Sequence, residues 1–530
     1  RRGPVSGRYE GESTAPTAGG YALELRVDID PRYENSPVMD RISGDMYRVF
    51  QFNWLGRTFK WRTYQESWIV DQPVIDWSRC QVTITGAVRY WQGNHRQTTV
   101  NIVIPWGSFS TPGPATVIFR AIGTEAAEYK CVRKSHAFRD VTLEVDVCAS
   151  INAEPILPSY DTHAHPNRPD DIPRRTLDIG EAYLEAGLNI TINPDRTVID
   201  DSDSQFDTWS PAELHDAMEQ HFSRIKGRWP NWQMWCLMAS TFDNPRTGGI
   251  MFDARASVGG AGKAPERQGC AVFRNHSWFN DLVTNPVTQP QAAAMRKLLY
   301  TYVHEMGHAF NFLHSWDKSR PDALSWMNYD WRYDSRNGAN AFWDSFEFRF
   351  DDEELIHLRH ADRAAIIMGG EAWASGGHLE APRGVSTELA GDAPVELLLR
   401  SVGYFDFMQP VMLECRVRNL ADLSIDIDTN LNPEFGGLTL FVRRPDGRTL
   451  QYTPLLCQLA EAKLTTLKPL KADTKEGEDR HSENIYVSFG ADGYYFDAPG
   501  DNLVKAIYQG SGNLLIPTNV HRIRIAPPIS

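Results

Sequence analysis

The sequence predicts a multidomain protein in which a central α+β domain is flanked by an N-terminal all-β domain and a C-terminal β-sandwich. Apolar and polar residues alternate with period two through residues 21–150 and again through residues 383–530, a pattern typical of half-buried strands. Residues 151–382 instead combine helical periodicity and capping signals with short apolar runs, which indicates an α+β region. The 530 residues are also too many for one domain.

Composition limits the classes of partner. Hydrophobic residues make up 42% and charged residues 23% of the chain, which is typical of a globular protein. The formal net charge of −14 argues against a nucleic-acid partner, because phosphates attract a basic surface. No apolar run is long enough to predict a membrane span. The cellular location stays unassigned, with export slightly favoured because the chain starts without Met, as it would after removal of a leader.

Two segments make up the N-terminal part. Residues 1–20 are rich in Gly, Ser, Thr and Pro, which predicts a flexible arm. Strand patterns then occur between residues 21 and 150 in YALELRVDI, QVTITGAVRY, TVNIVIP, ATVIFRA and VTLEVDV. They predict a small all-β domain, expected to be a sandwich. Whether this domain is a pro-region, a docking module or an inhibitor is left open by the sequence.

The central domain is expected to begin with a proline-rich linker over residues 151–175. The stretch SPAELHDAMEQHF starts with a capping box and a proline at the first helical position, which predicts a helix. The longest helical pattern covers residues 291–313. A later helix is predicted to begin at the acidic residues 351–354, and its His357 and His360 are expected on the surface.

The C-terminal domain is expected to follow a second linker at residues 370–384. Strand patterns return in VELLLR, VMLECRVRNL, GLTLFVRRPDGRTL, NIYVSFG and NLVKAIYQG. The segment FDAPGDNLVKAIY (496–508) resembles the last hairpin of bacterial immunoglobulin-like domains. This resemblance implies an immunoglobulin-like β-sandwich over residues 383–530, with an unknown partner.

A short motif in the longest helix points to metal chemistry. Residues 304–308 read HEMGH, and residues four positions apart lie on one face of a helix. His304 and His308 are therefore predicted to direct imidazole nitrogens at one zinc ion. Glu305 would reach a water bound to that ion and act as a general base.

His314 is predicted as the third zinc ligand, because catalytic zinc takes three protein ligands and keeps one open position. It lies six residues after His308, and six residues turn a straight helix by about 600°, which would face His314 away. The helix must therefore end before His314 and the chain must bend back. Asn311 is predicted to be the left-handed residue at this bend, since Asn adopts that conformation more readily than other non-glycine residues.

The downstream segment SWMNY (325–329) extends the pattern. HExxH with a third histidine beyond a bend, followed by a turn containing Met, resembles the metzincin family of zinc endopeptidases. The resemblance implies that Met327 lies beneath the zinc and that Tyr329 is an extra ligand or an oxyanion donor. The chain departs from the family pattern at Asn311, where Gly is usual, and in the short distance of thirteen positions from His314 to Met327. The branch of the family is therefore left unassigned.

The resemblance implies a zinc-dependent endopeptidase that acts on a protein or peptide substrate. In such an enzyme zinc polarises the scissile carbonyl and activates a water, whose proton Glu305 would take and pass to the leaving amine. An edge strand, predicted within residues 267–275, would pair with the extended substrate.

Two other functions stay open at this point. A gluzincin-type metallopeptidase takes a downstream glutamate as its third ligand, for which Glu347, Glu353 and Glu354 are candidates. A catalytically decayed protease domain would act as a binding protein through its flanking β domains. The complete set of ligands, base and tyrosine argues against decay.

Three further features have competing interpretations. DTHAHP (161–166) is compatible with the binuclear site of an amidohydrolase barrel, although no repeated βα units accompany it. DDSDSQFD (200–207) is compatible with Ca²⁺ binding but lacks an EF-hand pattern. Trp326 and Trp331, beside the methionine turn, either line the cleft or pack in the core.

Overall fold

The fold contains three hydrophobic cores, one for each part of the chain. The computed structural model describes residues 4–14, 20–33, 35–54, 57–91, 97–106, 111–121, 127–151, 156–194, 196–202, 208–223, 229–253, 267–316, 320–371, 395–445, 449–469, 475, 477–491, 493–509 and 515–528. No helix within these residues is both long and apolar enough to cross a membrane. The result is a multidomain arrangement of one α+β part and two β parts, as the sequence predicts.

Ten strands form the N-terminal part as one antiparallel sheet in the order β5-β6-β8-β9-β10-β1-β2-β3-β4-β7. Their bounds are β1 (Gly7–Ser13), β2 (Gly20–Asp28), β3 (Arg41–Trp54), β4 (Arg57–Val70), β5 (Val74–Trp77), β6 (Gln81–Ala87), β7 (Arg89–Tyr90), β8 (Thr99–Pro105), β9 (Ala115–Arg120) and β10 (Ala127–Ser135). Trp68 on β4 packs edge-on against Phe119 on β9, with ring centroids 5.0 Å apart. Since these strands are five positions apart in the sheet, the sheet curls around its core. A single curled sheet therefore replaces the expected sandwich.

The predicted flexible arm over residues 1–20 is wrong for its described residues. Strand β1 lies between β10 and β2 and pairs with both. Val5 and Tyr9 are fully buried, and the Tyr9 hydroxyl donates to the Val5 carbonyl at 2.6 Å. Gly, Ser and Thr residues around β1 hid the alternation of buried and exposed positions that the sheet requires.

The central part combines a mostly parallel sheet with seven α-helices among the described residues. Its strands are β11 (Arg139–Cys148), β12 (Tyr160–Asp161), β13 (Thr176–Leu177), β14 (Leu188–Ile192), β15 (Val198–Ile199), β16 (Gln233–Ala239), β17 (Thr247–Met251) and β18 (Gly269–Phe273). Its helices are α1 (Ile179–Ala186), α2 (Pro211–His221), α3 (Gln289–Ala309), α4 (Asp330–Asn337), α5 (Ala341–Ser345), α6 (Asp352–His360) and α7 (Arg363–Ile366). The sheet order is β14-β11-β16-β18-β17, and β17 alone among these five is antiparallel to its neighbour.

The boundary expected at residue 150 does not separate the two parts. Strand β11 contains the segment VTLEVDV, which the sequence pattern assigned to the N-terminal domain. It pairs with β14 and β16 and therefore lies inside the central sheet. The segment alternates like a half-exposed strand, but its polar residues Glu144 and Asp146 are buried and accept hydrogen bonds from the central part, Glu144 from the Ser223 N–H and Asp146 from the Trp235 ring N–H. A fragment that started at residue 151 would lack this strand.

The C-terminal part is a β-sandwich around one core, which agrees with the coarse prediction. Its strands are β19 (Val395–Arg400), β20 (Tyr404–Phe405), β21 (Met412–Asn419), β22 (Ile425–Asp428), β23 (Leu438–Arg443), β24 (Thr449–Tyr452), β25 (Cys457–Ala460), β26 (Leu464–Leu467), β27 (Arg480–Tyr486), β28 (Phe489–Gly490), β29 (Gly493–Tyr494), β30 (Gly500–Gln509), β31 (Leu515–Pro517) and β32 (His521–Ile525). One sheet has the order β19-β21-β27 and the other β20-β32-β30-β23-β24. Most of the second predicted linker, from residue 372 onward, lies outside the described residues.

Strand β25 leaves the sandwich and joins the central sheet. It pairs antiparallel with β17, with Ile250 opposite Gln458 and Met251 opposite Cys457. The central sheet therefore ends on a strand contributed by the C-terminal part. The sequence pattern did not predict this pairing, which joins segments about two hundred residues apart.

A buried polar network joins the N-terminal sheet to α6. His360 contacts the Ser43 hydroxyl through Nδ1 at 2.9 Å, and its Nε2 lies 3.4 Å from the Asp28 carboxylate. Arg359 donates to the same carboxylate at 2.8 Å. Both histidines of α6, His357 and His360, are fully buried, so their expected surface position is wrong. The helix lies between two domains, and Arg359 and His360 near its end contact Asp28 across that interface, while Asp352 and Glu353 at its start are exposed.

This network predicts a loss of stability in mild acid. Burial lowers the pKa of His360 to about 4, whereas an unfolded histidine has a pKa of about 6.5. Below pH 6.5 the unfolded chain therefore binds a proton that the folded protein does not, and folding weakens as the pH falls towards 4. The shift corresponds to a contribution on the order of 3 kcal/mol.

Denaturant unfolding of the parent and His360→Asn between pH 7.5 and 4.5 measures this effect. The parent is expected to lose stability over this range more steeply than the variant, which has no imidazole to protonate. Parallel pH profiles would show that His360 does not titrate in this way. The stabilisation by the ionised Asp28 is lost only at still lower pH, outside this range. Burial opposes its ionisation, but the Arg359 charge and the hydrogen bonds outweigh burial and lower the pKa of Asp28 to about 2.

Candidate metal centre

Helix α3 carries the first two histidines of the candidate site. It begins with a capping box between Thr288 and Gln291 and ends at Ala309, four residues before the end predicted from its periodicity. His304 and His308 lie on one face, with their Nε2 atoms 3.2 Å apart. The local sequence thus presents two imidazole nitrogens towards a common point, as the four-residue spacing predicts.

The helix ends in a tight left-handed turn centred on Asn311. The Asn311 backbone has φ of +71°, which confirms the left-handed conformation predicted from the sequence. Its N–H donates to the His308 carbonyl at 2.9 Å, and the next N–H, of Phe312, donates to the Gly307 carbonyl at 3.1 Å. These two bonds form a Schellman motif, which satisfies the last helix carbonyls and turns the chain back.

Asn311 has a second contact that glycine lacks. Its side-chain Nδ2 donates to the Ala365 carbonyl at 2.9 Å, and the residue is fully buried. The carbonyl belongs to α7, so the bond ties the bend to the helix that follows α6. Asparagine therefore combines a tolerated left-handed backbone with a hydrogen bond across the bend.

The bend brings His314 to the other two histidines. The ring centroids of His314 lie 5.2 Å from His304 and 4.6 Å from His308. One nitrogen from each of the three rings lies within 4.8 Å of the others, and all three residues are buried. Three imidazoles that converge on one point are a donor set that suits a transition-metal ion, and zinc is one of the ions that this set fits.

Backbone carbonyls orient two of the rings. His304 Nδ1 lies 2.7 Å from the Trp326 carbonyl, and His308 Nδ1 lies 2.8 Å from the Phe312 carbonyl. A carbonyl only accepts a hydrogen bond, so each Nδ1 carries the proton and each Nε2 lone pair is left for a cation. His314 is positioned differently, by stacking on Trp316 with centroids 4.1 Å apart and an interplanar angle of 11°.

The turn containing Met327 packs directly beneath α3. A Cβ atom on Gly307 would lie 2.4 Å from Met327 Sδ, so the absence of a side chain at Gly307 lets the turn approach the helix between the histidines. The Met327 carbonyl accepts from the Ser315 N–H at 3.0 Å, and the Tyr300 hydroxyl donates to the Asn328 carbonyl. Met327 is therefore packed against α3 at Gly307, between His304 and His308 in the chain, which is compatible with the place that the resemblance implies.

The Glu305 side chain lies against strand β17. A Cβ atom on Gly249 would meet Glu305 Cγ at 2.8 Å, so the strand backbone lies directly against the carboxylate. Burial raises the pKa of Glu305 well above its usual range. A carboxyl group with raised proton affinity beside the three histidines has the character of a general base.

Tyr329 completes the ring of side chains around the histidines. Its ring centroid lies 5.4 Å from His304 and 5.0 Å from His314, and the residue is fully buried. Its hydroxyl donates to the backbone carbonyl of Gln458 on β25. The tyrosine, whose ring lies against two of the histidines, thus directs a hydrogen-bond donor at a peptide carbonyl of the chain itself.

The predicted edge strand within residues 267–275 is wrong. That segment forms β18, which is internal because it pairs with β16 on one side and β17 on the other. Strand β17 lies nearest to Glu305 and is the last central strand before β25. The glycines of β17, in TGGIM, give a weak strand pattern that the periodicity did not single out.

The glutamates proposed for a gluzincin site have other partners. Glu354 caps α6 in a capping box with Asp351 and accepts from the Ser325 hydroxyl. Glu353 pairs with Arg320, and Glu347 is exposed. The group of possible metal ligands found in the described part of the chain contains the three histidines and none of these glutamates.

The other sequence features with competing interpretations are the DTHAHP segment, the two tryptophans beside the methionine turn and the Ca²⁺ candidate. His163 Nε2 lies 2.8 Å from the Ile172 carbonyl, and neither it nor His165 belongs to the metal-ligand group of the described residues. Trp326 is fully buried in the core, while Trp331 is partly buried and borders a cavity. Most of the Ca²⁺ candidate at 200–207 lies outside the described residues.

Sequence reasoning missed four residues of the site: Trp316, Gly249, Gly307 and Gln458. Gly307 was visible inside the HEMGH motif, where a glycine permits close packing from below. Trp316 was visible two residues after His314. Gln458 lies 129 positions after Tyr329, and no local pattern could relate the two.

Comparisons with known proteins do not assign the chain to a family. No family model matches the chain, and no curated protein matches it. Among the solved structures with some similarity, a β-glucosidase from Listeria innocua has 9% identity and a TM-score of 0.15, over 26% of this chain and 16% of that chain. The β-glucosidase EmGH1 from Erythrobacter marinus has 12% identity and a TM-score of 0.16, over 73% of this chain and 47% of that chain. This chain thus spans less than half the length of either neighbour.

Substitutions at Asn311 test the bend. Asn311→Val places a β-branched residue at positive φ, a strain on the order of 1–3 kcal/mol that the bend must absorb. Zinc affinity is expected to fall, although no ligand changes. Asn311→Gly keeps the bend and loses the bond to the Ala365 carbonyl, so it is expected to bind zinc nearly as the parent does while losing about 1 kcal/mol of stability.

Competition with a chromophoric chelator measures these affinities, and His314→Ala gives the affinity of a site with one ligand fewer. Zinc affinity is expected to be highest in the parent and in Asn311→Gly, lower in Asn311→Val, and lowest in His314→Ala. A valine variant that binds zinc as tightly as the parent would contradict a required left-handed residue.

Proposed function

We propose that the chain is a zinc-dependent endopeptidase whose central domain is metzincin-like. The observation that carries the proposal is the convergence of His304, His308 and His314 beside a buried glutamate and a buried tyrosine. The methionine turn beneath α3 supports the metzincin-like assignment in particular. The strand order supports it as well, because a single antiparallel strand borders the helix face that carries Glu305.

The proposed mechanism assigns one task to each group. A zinc ion held by the three histidines would act as a Lewis acid on the scissile carbonyl. Glu305 takes a proton from the attacking water and returns it to the leaving amine, for which its raised pKa is suited. The Tyr329 hydroxyl donates to the oxygen that becomes negative, and β17 offers backbone groups to an extended peptide.

For the outer domains we propose supporting tasks. Two sheets around a common core support an immunoglobulin-like assignment of the C-terminal sandwich. The N-terminal sheet holds α6 through the network of Asp28, Arg359 and His360, which supports a role in positioning the central domain. A decayed protease that only binds partners is the second candidate, and it differs from the first by its lack of turnover.

Glu305→Gln tests the proposed base. The amide keeps the size of the side chain but cannot take a proton. Residue 305 is not one of the three predicted metal ligands, so the substitution leaves those ligands in place. The variant is expected to bind zinc as the parent does and to lose most hydrolysis of an unstructured fluorogenic peptide, typically 10²–10⁴-fold for a general base. Glu347→Gln, at an exposed position on the same domain, is the matched control and is expected to leave both properties unchanged.

Metal content and peptide hydrolysis are measured on the same preparations over hours of incubation. Undiminished hydrolysis by Glu305→Gln would remove Glu305 from the mechanism. Absence of hydrolysis in every variant, with zinc bound in all of them, would favour the binding-protein alternative.

A further inference from the structure

Strand β25 lies where a peptide substrate of this site would lie. We propose that residues 457–460 act as an internal substrate-like strand that keeps the candidate active site closed until it leaves β17. This inference rests on the proposed function, because it takes the site to be one that acts on peptides. Three independent contacts of β25 support it. They are the backbone pairing with β17, the hydrogen bond from the Tyr329 hydroxyl, and the hydrogen bonds of the Gln458 side chain.

The first contact is backbone pairing along β17. Residues Thr247, Gly249, Ile250 and Met251 lie opposite β25 in an antiparallel register. An extended peptide that adds a strand to a sheet uses the same unpaired backbone groups of the edge strand. While β25 is paired with β17, those groups are taken, and a second peptide has no edge to join.

The second contact is between the Tyr329 hydroxyl and the Gln458 carbonyl. An oxyanion donor is recognised by its direction towards the carbonyl that is to be attacked. Here the donor already faces a peptide carbonyl of the chain itself. The backbone at Gln458 therefore occupies the position that the scissile carbonyl of a substrate would need.

The third contact fixes the Gln458 side chain. Thr247 Oγ1 donates to its amide oxygen at 2.8 Å, and its amide nitrogen donates to a Glu434 carboxylate oxygen at 2.7 Å. The side chain is buried, so both hydrogen bonds are protected from water. One bond reaches the strand of the central sheet and the other reaches the C-terminal domain, so Gln458 anchors β25 between the two.

The loop that carries Glu434 closes the same side of the site. Gly436 has φ of +70°, and a Cβ atom there would lie 2.3 Å from the Trp316 ring. Trp316 in turn stacks on His314. The C-terminal domain thus covers the candidate ligand His314 through this loop, by way of Trp316, and it covers β17 through strand β25.

Burial of the site follows from these contacts. None of the candidate catalytic residues is more than 1% exposed: His304, Glu305, His308, His314 and Tyr329. Within the described residues, β25 and the 433–437 loop cover the strand and the histidine that an entering peptide would have to contact. The site can act on an external peptide only when β25 separates from β17.

Two variants open the strand to different degrees. Gln458→Ala removes both side-chain bonds of the anchor and leaves the backbone pairing. A second variant, in which residues 456–461 are replaced by a Gly-Ser segment of equal length, removes the strand preference of the whole segment. Gln451→Ala on β24 is the matched control, because it changes the same residue type in a neighbouring strand that does not contact the central sheet.

Two measurements are made on the zinc-loaded full-length proteins. The first is the rate at which a chelator removes zinc, which reports access to the site without any need for turnover. The second is hydrolysis of an unstructured fluorogenic peptide. Both rates are expected to rise roughly tenfold in Gln458→Ala, because two hydrogen bonds are lost, and further in the Gly-Ser variant. Gln451→Ala is expected to behave as the parent.

The outcomes separate this inference from the proposed function. Faster zinc removal in both opened variants, with no hydrolysis in any protein, would support the closed strand and overturn the peptidase. Equal rates of zinc removal in the parent and Gln458→Ala, with equal hydrolysis, would overturn the closed strand and leave the peptidase standing. If the Gly-Ser variant fails to fold, Gln458→Ala alone decides between these results.

Discussion

The left-handed backbone at Asn311 is the constraint on which the candidate metal centre depends. Helix α3 alone aligns two histidines, and the Schellman turn at its end adds the third by reversing the chain within five residues. The side chain of Asn311 then ties this turn to α7. A local backbone conformation, held by a buried hydrogen bond, thereby converts a helical motif into a three-ligand site.

Packing around the bend fixes the rest of the site. Gly307 admits Met327 beneath the helix, and Gly249 admits the β17 backbone beside Glu305. Both approaches are closer than a side chain at either glycine would permit, so the histidines and the glutamate lie between the Met327 side chain and the β17 backbone. The C-terminal sandwich completes the enclosure through Gln458, which lies against β17 and Tyr329 at once. The C-terminal domain therefore forms part of the surroundings of the site, and its arrangement relative to the central sheet affects the site.

Sequence patterns predicted those features whose conformation depends on residues close by in the chain. The helix of HEMGH and the left-handed Asn311 depend on near neighbours in the chain, and the sequence predicted both, whereas the place of Met327 was implied by the family resemblance. The coarse division into β, α+β and β parts was also predictable from periodicity. Strand order was not, because β11 and β25 take their places through contacts with distant segments. The buried His360 escaped prediction for the same reason: its partners belong to another domain.

X-ray absorption spectroscopy of the zinc-loaded protein tests the central claim most directly, that the bend makes a three-histidine zinc site. The parent is expected to show three imidazole ligands with zinc–nitrogen distances of about 2.0–2.1 Å. His314→Ala is expected to show two imidazoles, with the lost ligand replaced by a water oxygen that lacks the outer-shell scattering of an imidazole ring. A parent spectrum with two imidazoles, or a spectrum that His314→Ala leaves unchanged, would contradict the account.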